Sequence, residues 1–535
     1  MEIMLQVFVW VNLVLAKVHR FNWDITEKEI SPDKFTIRSI VINGQLPGPP
    51  INAIVGDQII VKVNNKLTRG FTIHWHGIKQ LGNVKMDGVP HITQLPISPG
   101  QSYTYDFKAD VAGTFWYHAH SGMDSEQAYG ALIVKDTEDT WQSIVDFDSV
   151  YSYDEERTLL LTEWWHETPE EVRKKLISLP FSGVDGANSH LINGRCLDSE
   201  EGPYTLNVKA GKKYRLRLIG ATGLSMFRFR IKGHRFTVIE VEGTLVKPVE
   251  VDHIDVNSGE RYSVILHADQ PIDSYVGSIS TPLERMETNN GVFVLKYKGA
   301  ATPTNFTREA LSNSRNRFIE SQLISSKWYD THKSPHYYKP PLSVDKEIFI
   351  STHLASNNGL PVHTMNEVMP ASYSGVLWNT ILDGSYKPSN QSYDVKVGQN
   401  VQIVIEDLVY SGRSCRVHPW HLHGHSFHVV AHGQGFYNPS TDQAIIDRAL
   451  QSRPSPILRD TFSLYTTDMK TESNFQGRKT PGDLGPMSNG PAKNYKPCGW
   501  YALRFKADNP GSWLLHCHIT HHVIMGMVTV INVHP

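Results

Sequence analysis

Near its C-terminus the chain reads Leu515-His516-Cys517-His518-Ile519-Thr520-His521-His522-Val523-Ile524-Met525-Gly526-Met527. On a strand, successive side chains point to opposite faces, so Cys517 looks one way while His516 and His518 look the other. A thiolate set between imidazoles therefore places one site on each face of a sheet, joined by a very short covalent path. Cysteine, two histidines and a weak methionine form the ligand set of a blue-copper electron-transfer site. The remaining histidines need a second metal site next door.

The rest of the chain reads as strands. Turn residues recur roughly every eight to twelve positions between short runs rich in Val, Ile, Phe and Tyr, which is the spacing of all-β sandwiches or barrels. Three stretches resemble one another: Val55–Val63 followed by His74-Trp75-His76-Gly77, Lys209–Leu218 followed by Gly233-His234-Arg235-Phe236, and Val397–Ile405 followed by His421-Leu422-His423-Gly424-His425. Three copies of one β-sandwich unit account for them. A length of 535 residues fits three or four domains. The expected domains are 17–137, 155–299 and 345–535, with a Pro-containing connector over 300–344 and an exposed loop over 466–497. Short helices are expected at Glu170–Leu179 and Leu311–Trp328.

Forty per cent of residues are hydrophobic, enough for large cores, and a net charge of -2 gives no footprint for nucleic acid or an acidic membrane. Residues 1–16 form an apolar run ending in Val14-Leu15-Ala16, which predicts a cleaved secretory signal and an extracellular protein, although Glu2 stands where a basic residue is usual. No later run is long enough to span a bilayer. The sequons Asn305-Phe306-Thr307 and Asn390-Gln391-Ser392 agree with secretion. With Cys517 a metal ligand, Cys196, Cys415 and Cys498 can form at most one disulfide, and the sequence leaves its partners open.

Four segments carry a His-x-His pair: 74/76, 118/120, 421/423 and 516/518. With 26 histidines in 535 positions, roughly one such pair is expected by chance. All four lie in alternating, aromatic-rich runs at corresponding places of the first and third repeats. Each pair presents two imidazoles in one direction, so eight imidazoles can hold a cluster of several metal ions. His418 precedes His421 by an odd number of positions and faces away from the 421/423 pair, toward Cys517. His522 and Met527 complete the single-metal site. The arrangement predicts an electron relay through Cys517 to a buried cluster.

His74-Trp75-His76-Gly77, Trp116-Tyr117-His118-Ala119-His120-Ser121-Gly122, His418-Pro419-Trp420-His421-Leu422-His423-Gly424 and the closing His516–Met527 run resemble, in order, the four copper motifs of the multicopper oxidases. The neighbourhoods Met86-Asp87-Gly88-Val89-Pro90 and Phe505–Gly511 look most like animal laccase-type members, with features similar to ascorbate oxidases. The resemblance implies an all-β fold of three cupredoxin-like Greek-key domains and four copper ions. The type 1 copper would take His418, Cys517 and His522 with Met527 axial. The type 2 copper would take His74 and His421. The two type 3 coppers would take His76, His118, His120, His423, His516 and His518. Dioxygen would be reduced to water at the cluster between the first and third domains. Met527 implies a lower potential than the Leu or Phe of many fungal laccases. Asp87 matches the family's proton-handling carboxylate, whereas the second acid of that pair is replaced by Thr520. The second repeat lacks the histidines, and His234 reads as structural.

The donor is written less clearly. Thr162-Glu163-Trp164-Trp165-His166 resembles the family's substrate-pocket segment: Glu163 stands where iron-oxidising members bind ferrous iron, and the tryptophans, with Trp378, resemble ascorbate oxidases. Core packing for Trp164, Trp165 and Trp378, and a hydrogen-bonded surface carboxylate for Glu163, are the alternatives. Asn188 occupies the place of a fungal laccase acid, with Asp185 close but shifted. Arg413-Ser414-Cys415-Arg416 brings cations where ferroxidases have an acid. The expected function is laccase-like oxidation of phenols and diphenols. Ascorbate oxidation is second and ferrous iron oxidation third, and a catalytically inactive copper-binding protein is the reading from a different class.

Overall fold

The computed structural model describes residues 16–181, 186–282, 291–301, 339–357, 360–366, 392–410, 415–451, 455–463 and 495–535. Trp378, Asp185, the sequon asparagines Asn305 and Asn390, the expected helix over 311–328 and most of the expected 466–497 loop lie outside the described residues.

The sequence alternation becomes one-sided strands. In Gln58–Asn65, Ile59, Val61 and Val63 are fully buried while Lys62 between them is exposed. Such strands assemble into six sheets, which pair as three sandwiches. The larger sheet of the third sandwich runs Leu360–Met365, Lys346–Asn357, Asn400–Tyr410, Tyr495–Lys506, Phe427–Gly433, Leu458–Arg459. Numbered along the chain, that order is second, first, third, sixth, fourth, fifth. The second sandwich repeats it with Ser189–Ile192, Glu155–Trp164, Lys213–Gly220, Arg261–His267, Phe236–Val241 and Thr244–Val251. The first sandwich keeps the first four of that order, Ile37–Ile42, Val18–Ile30, Gln58–Asn65 and Ser102–Lys108. In all three, the first and third strands run parallel. This is the threefold repeat seen in the sequence, and the all-β expectation holds.

The smaller sheets carry the histidine strands. In the first sandwich Ile73–His76 pairs antiparallel with Gly113–Ala119, setting His74 opposite His118. In the third, Pro419–Leu422 pairs with Gly511–Cys517, setting His421 opposite His516 and Trp420 opposite Cys517. Every residue of Gly113–Ala119 is buried, as a strand packed on both faces requires. In the second sandwich the strand equivalent to Ile73–His76 and Pro419–Leu422 is Phe227–Ile231, and there Phe227 and Phe229 fill the core instead.

The short helix Pro169–Ile177 begins with a capping box between Thr168 and Glu171 and buries Val172 and Leu176. The sequence reading missed Pro439–Leu450 and the single turn Thr520–Ile524 that follows the closing strand. Cys415 and Cys498 form the disulfide, tying the segment before His418 to Tyr495–Lys506; Cys196 and Cys517 are free and buried. Among the described residues, no helix is long and apolar enough to cross a membrane.

Candidate metal centre

The closing strand does what its parity demands. On one face, Cys517 Sγ lies 3.7 Å from His418 Nδ1 and 3.6 Å from His522 Nδ1, and the two nitrogens are 3.1 Å apart. The three ligand atoms form a small triangle in a buried apolar shell that includes Trp420, Phe462 and Ile519. Met527 belongs to the same shell, is fully buried, and accepts a hydrogen bond from the Cys517 backbone N–H at 3.0 Å.

On the other face, the eight imidazoles of the four His-x-His pairs come together. His74, His76 and His421 form one group, His76, His118 and His518 a second, and His120, His423 and His516 a third, with ligand atoms in each group within 4.8 Å of one another. The hydrogen bonds of the ring nitrogens decide how these imidazoles can act. A carbonyl only accepts, so a ring nitrogen bonded to one carries the proton and its opposite nitrogen keeps a lone pair. His74, His118, His421 and His516 each donate from Nδ1 to a backbone carbonyl, those of Asp87, Ala119, Asp460 and Cys517, at 2.7 to 2.9 Å. The opposite Nε2 atoms of His74, His118 and His421 are buried without a protein partner. His423 donates from Nδ1 to Asp87 Oδ2 at 3.0 Å, so its Nε2 lone pair faces that of His516 at 3.1 Å. His518 Nδ1 meets the Ser258 hydroxyl at 2.9 Å, and that hydroxyl donates to Thr222 O, so it accepts from the imidazole. His76 is turned around: its Nε2 lies 3.0 Å from Thr461 Oγ1 and 3.3 Å from Asp460 Oδ1, and its Nδ1 faces His518 Nε2 at 3.1 Å.

Lone pairs facing each other at such distances repel unless a cation lies between them. The donor set therefore fits metal ions, and imidazole with thiolate suits copper. Burial, reinforced by neighbouring imidazoles, holds His76, His118, His120, His423, His518 and His522 well below the usual histidine range and His516 at about 3, and burial with the Arg416 charge holds His418 at about 3. All eight are neutral and open to a metal. Burial pushes the Cys517 thiol up, so a cation must displace its proton.

Carboxylates orient the rings from behind. Asp87, fully buried, lies 3.2 Å from His74 Nδ1 and 3.0 Å from His423 Nδ1, bridging the first and third sandwiches. Sequence reasoning missed Asp460. Its carboxylate forms a two-pronged ion pair with Arg261 of the second sandwich, both contacts at 2.6 Å. Arg459 beside it reaches Glu242, again in the second sandwich. The signal was present: Leu458-Arg459-Asp460-Thr461-Phe462 puts two opposite charges inside an apolar strand, a pattern tolerated only when both are paired. Asp407 was also missed. It lies 3.5 Å from His418 Nε2, and burial pushes its carboxyl well above the usual range.

The substrate assignments fare differently. Glu163 is 3% exposed, and its oxygens accept the backbone N–H groups of Gly223, Leu224 and Ser225, so it is an interior anchor and not a surface ligand for ferrous iron. Trp164 is core, packed with Ile37, Leu191 and Cys196, which corrects its assignment to a substrate pocket. Trp165 is buried against the His521 ring at 5.5 Å. Asn188 is exposed, and its side chain accepts the His166 N–H at 2.8 Å. His234 is structural, bonded to Lys232 O and the Tyr297 hydroxyl. A further buried imidazole, His363, lies 5.0 Å from His522 and 5.8 Å from His418 between ring centres, where sequence reasoning had placed nothing.

Family models described as multicopper oxidase match residues 24–139, 155–300, and 360–482 with 493–535. The chain belongs to the multicopper oxidase family. An L-ascorbate oxidase of Brassica rapa subsp. pekinensis is 32% identical, over 96% of this chain and 92% of the relative. Laccase-13 of Arabidopsis thaliana is 29% identical, over 99% and 95%. The crystal structure of a laccase from Botrytis aclada superposes with a TM-score of 0.74 at 27% identity, over 97% of this chain and 88% of that one. Membership makes this multicopper oxidase a copper-dependent oxidoreductase with a cupredoxin-like fold, similar to laccases and ascorbate oxidases.

Proposed function

We propose that this multicopper oxidase takes single electrons from small phenolic and diphenolic donors and reduces dioxygen to two waters. It would hold four copper ions: one with His418, Cys517, His522 and Met527, one with His74 and His421, and two with His76, His118, His120, His423, His516 and His518. When bound, copper supplies one-electron redox chemistry and the place where dioxygen is reduced. The chain's own residues do the rest. Cys517 and its two neighbours join the two faces through a few covalent bonds. The apolar shell around Cys517 keeps water from the thiolate. Asp87 and Asp460 fix which nitrogen of each ring carries a proton, so that the other is free to bind. The observation that carries this reading is the back-to-back arrangement on one strand: the Cys517 triangle on one face, and the His516 and His518 lone pairs on the other.

The donor ranking rests on the likeness to laccases and on the burial of Glu163, which removes the ferrous iron ligand. Ascorbate is the second reading, because relatives named L-ascorbate oxidase match nearly the whole chain. Oxygen uptake by one fully copper-loaded sample, with a diphenol, ascorbate and ferrous iron in turn, tests the ranking. The diphenol is expected to give the highest kcat/KM. A higher value for ascorbate installs the second reading, and a preference for ferrous iron that Glu163→Ala abolishes overturns the ranking. A protein with neither blue absorption nor oxygen uptake with any donor would be a binding protein without catalysis.

Secretion is part of the same proposal. It is supported by the apolar 1–16 run, the two sequons and a disulfide, which persists outside the reducing cytosol.

A further inference from the structure

Making two waters from one dioxygen consumes four protons as well as four electrons, and the cluster histidines are buried. The carboxylates that touch them are already engaged. Arg261 grips both oxygens of Asp460 at 2.6 Å. Asp87 is engaged with His74 and His423. Position 520, next to the cluster strand, is a threonine.

Glu126 differs from both. It ends the turn Gly122–Glu126 that follows the His118/His120 strand. Its side chain is buried, and Oε1 has no hydrogen-bond partner. It presses on the loop of residues 222–225, where a Cβ added at Gly223 would come within 2.2 Å of that oxygen. The same loop touches the cluster. Thr222 O accepts the Ser258 hydroxyl, which meets His518, and Gly223 O accepts the Thr520 N–H at 2.8 Å. One loop width therefore separates Glu126 from a cluster histidine. Beside it, the Ser125 and Thr520 hydroxyls are 3.3 Å apart.

Glu163 flanks that loop as well, so two carboxyls share one environment. Burial raises the Glu163 carboxyl, but three backbone N–H groups pull against that rise, whereas Glu126 Oε1 receives no donor and has Glu163 as a neighbour that raises it further. Paired carboxyls in such unequal settings separate into an anion and a neutral acid. Burial, then Glu163, pushes Glu126 well above the usual carboxylate range. The other titratable groups on the elements packed here are His521, whose Nε2 lies 3.8 Å from Glu126 Oε1, and Asp124, which is paired with Arg69, with Glu170 beyond.

We propose that Glu126 is the buried proton store for dioxygen reduction, passing its proton toward the cluster by way of the Ser125 and Thr520 hydroxyls and regaining one from solvent. This rests on the copper assignment above. The balance is O2 + 4 e⁻ + 4 H⁺ → 2 H2O, with one electron from each of four donor molecules and Glu126 unchanged after each cycle.

The test uses the full-length copper-loaded protein, chemically reduced without oxygen and then mixed with dioxygen, so no natural donor enters. In Glu126→Gln, copper content and blue absorption stay at wild-type levels. The return of blue absorption slows by about a hundredfold, the low end for loss of a positioned acid, with a larger solvent deuterium isotope effect and a flattened pH profile. Glu126→Asp restores part of the rate. Wild-type return in Glu126→Gln, with an unchanged pH profile, overturns the proposal alone. A wild type that does not return at all overturns the copper assignment and the proposal with it. Infrared spectra of wild-type protein grown on 13C-glutamate give a check that needs no variant: absence of a protonated glutamate carboxyl band at neutral pH also overturns the proposal.

Discussion

Arg261→Met tests how the three sandwiches share the metal centre. Arg261 is fully buried, reaches Asp460 through two contacts of 2.6 Å, and donates to Thr114 O and Gly259 O. Gly77 makes the approach possible: its φ is +88°, and a Cβ there would lie 2.5 Å from Arg261 Nη2. Methionine fills much of the same space but leaves the Asp460 carboxylate buried and unpaired. Breaking a buried ion pair in this way costs about 3–5 kcal/mol. The carboxylate escapes by taking up a proton, and then no longer fixes the Nε2–H of His76, 3.3 Å away. Urea unfolding of the copper-free variant is therefore expected to show a loss of that size. Copper should be depleted from the cluster first, while blue absorption from the far face of the Cys517 strand survives. Adding Asp460→Asn should recover much of the stability, because no buried charge is left alone, but not the cluster copper. A stability loss under about 1 kcal/mol, or loss of blue absorption with the cluster signals intact, would refute the reasoning.

Four further outcomes follow from the same geometry. Cys517→Ser should abolish blue absorption and donor oxidation together, and retained turnover would refute the relay. In the copper-free protein, His418 and His516 sit at about 3 against 6.5 for a free imidazole; the unfolded chain takes up protons that the native state refuses, so stability is fully present above pH 6.5 and is lost as pH falls toward 3, by about 5 kcal/mol per group at full effect, and a flat stability profile between pH 7 and 4 would count against this. Replacing both Cys415 and Cys498 with serine opens a loop spanning 83 residues and should cost about 4–5 kcal/mol by chain entropy, read by thermal unfolding. Gly259→Ala would put a methyl group 2.9 Å from His76 and 3.0 Å from His518 at a φ of +80°, so copper analysis should find the cluster depleted, and a full complement would show that the rings can move.

The grouped histidines and Cys517 were legible because their signal is local. Strand parity follows from a period of two, and the His-x-His pairs and Cys517 declare it within single strands. Glu163 and Trp164 misled for a physical reason. Residues 159–164 are buried without alternation in the strand Glu155–Trp164, so both faces are covered, and a carboxylate there has to be satisfied from inside. The run Leu159-Leu160-Leu161-Thr162 already carried that sign, but likeness to a pocket segment in relatives outweighed it. Asp460 with Arg261, and Ser258 with His518, were out of reach for another reason. Each joins residues far apart in the chain, and no periodicity within an element reports a partner in another sandwich.

Those distant contacts also explain what the second sandwich is for. Its histidine-strand positions hold Phe227 and Phe229, so it supplies none of the grouped ligands. A centre divided between the first and third sandwiches still needs their strands held in register to within a fraction of an ångström, because ligand geometry tolerates little error. The second sandwich reaches that seam from the side. Arg261 and Glu242 grip Asp460 and Arg459 of the third sandwich, Asn257 and Glu260 bond Ser463, and Ser258 orients His518. Arg261 also bonds Thr114 O on the strand that carries His118 in the first sandwich. One guanidinium thus touches a histidine strand of the first sandwich and, in the third, Asp460, whose carbonyl accepts from His421. With no grouped ligand of its own, the second repeat acts as the clamp, and the buried charges of that clamp make its docking specific, since a shifted interface would strand Asp460, Glu242 and both arginines without partners.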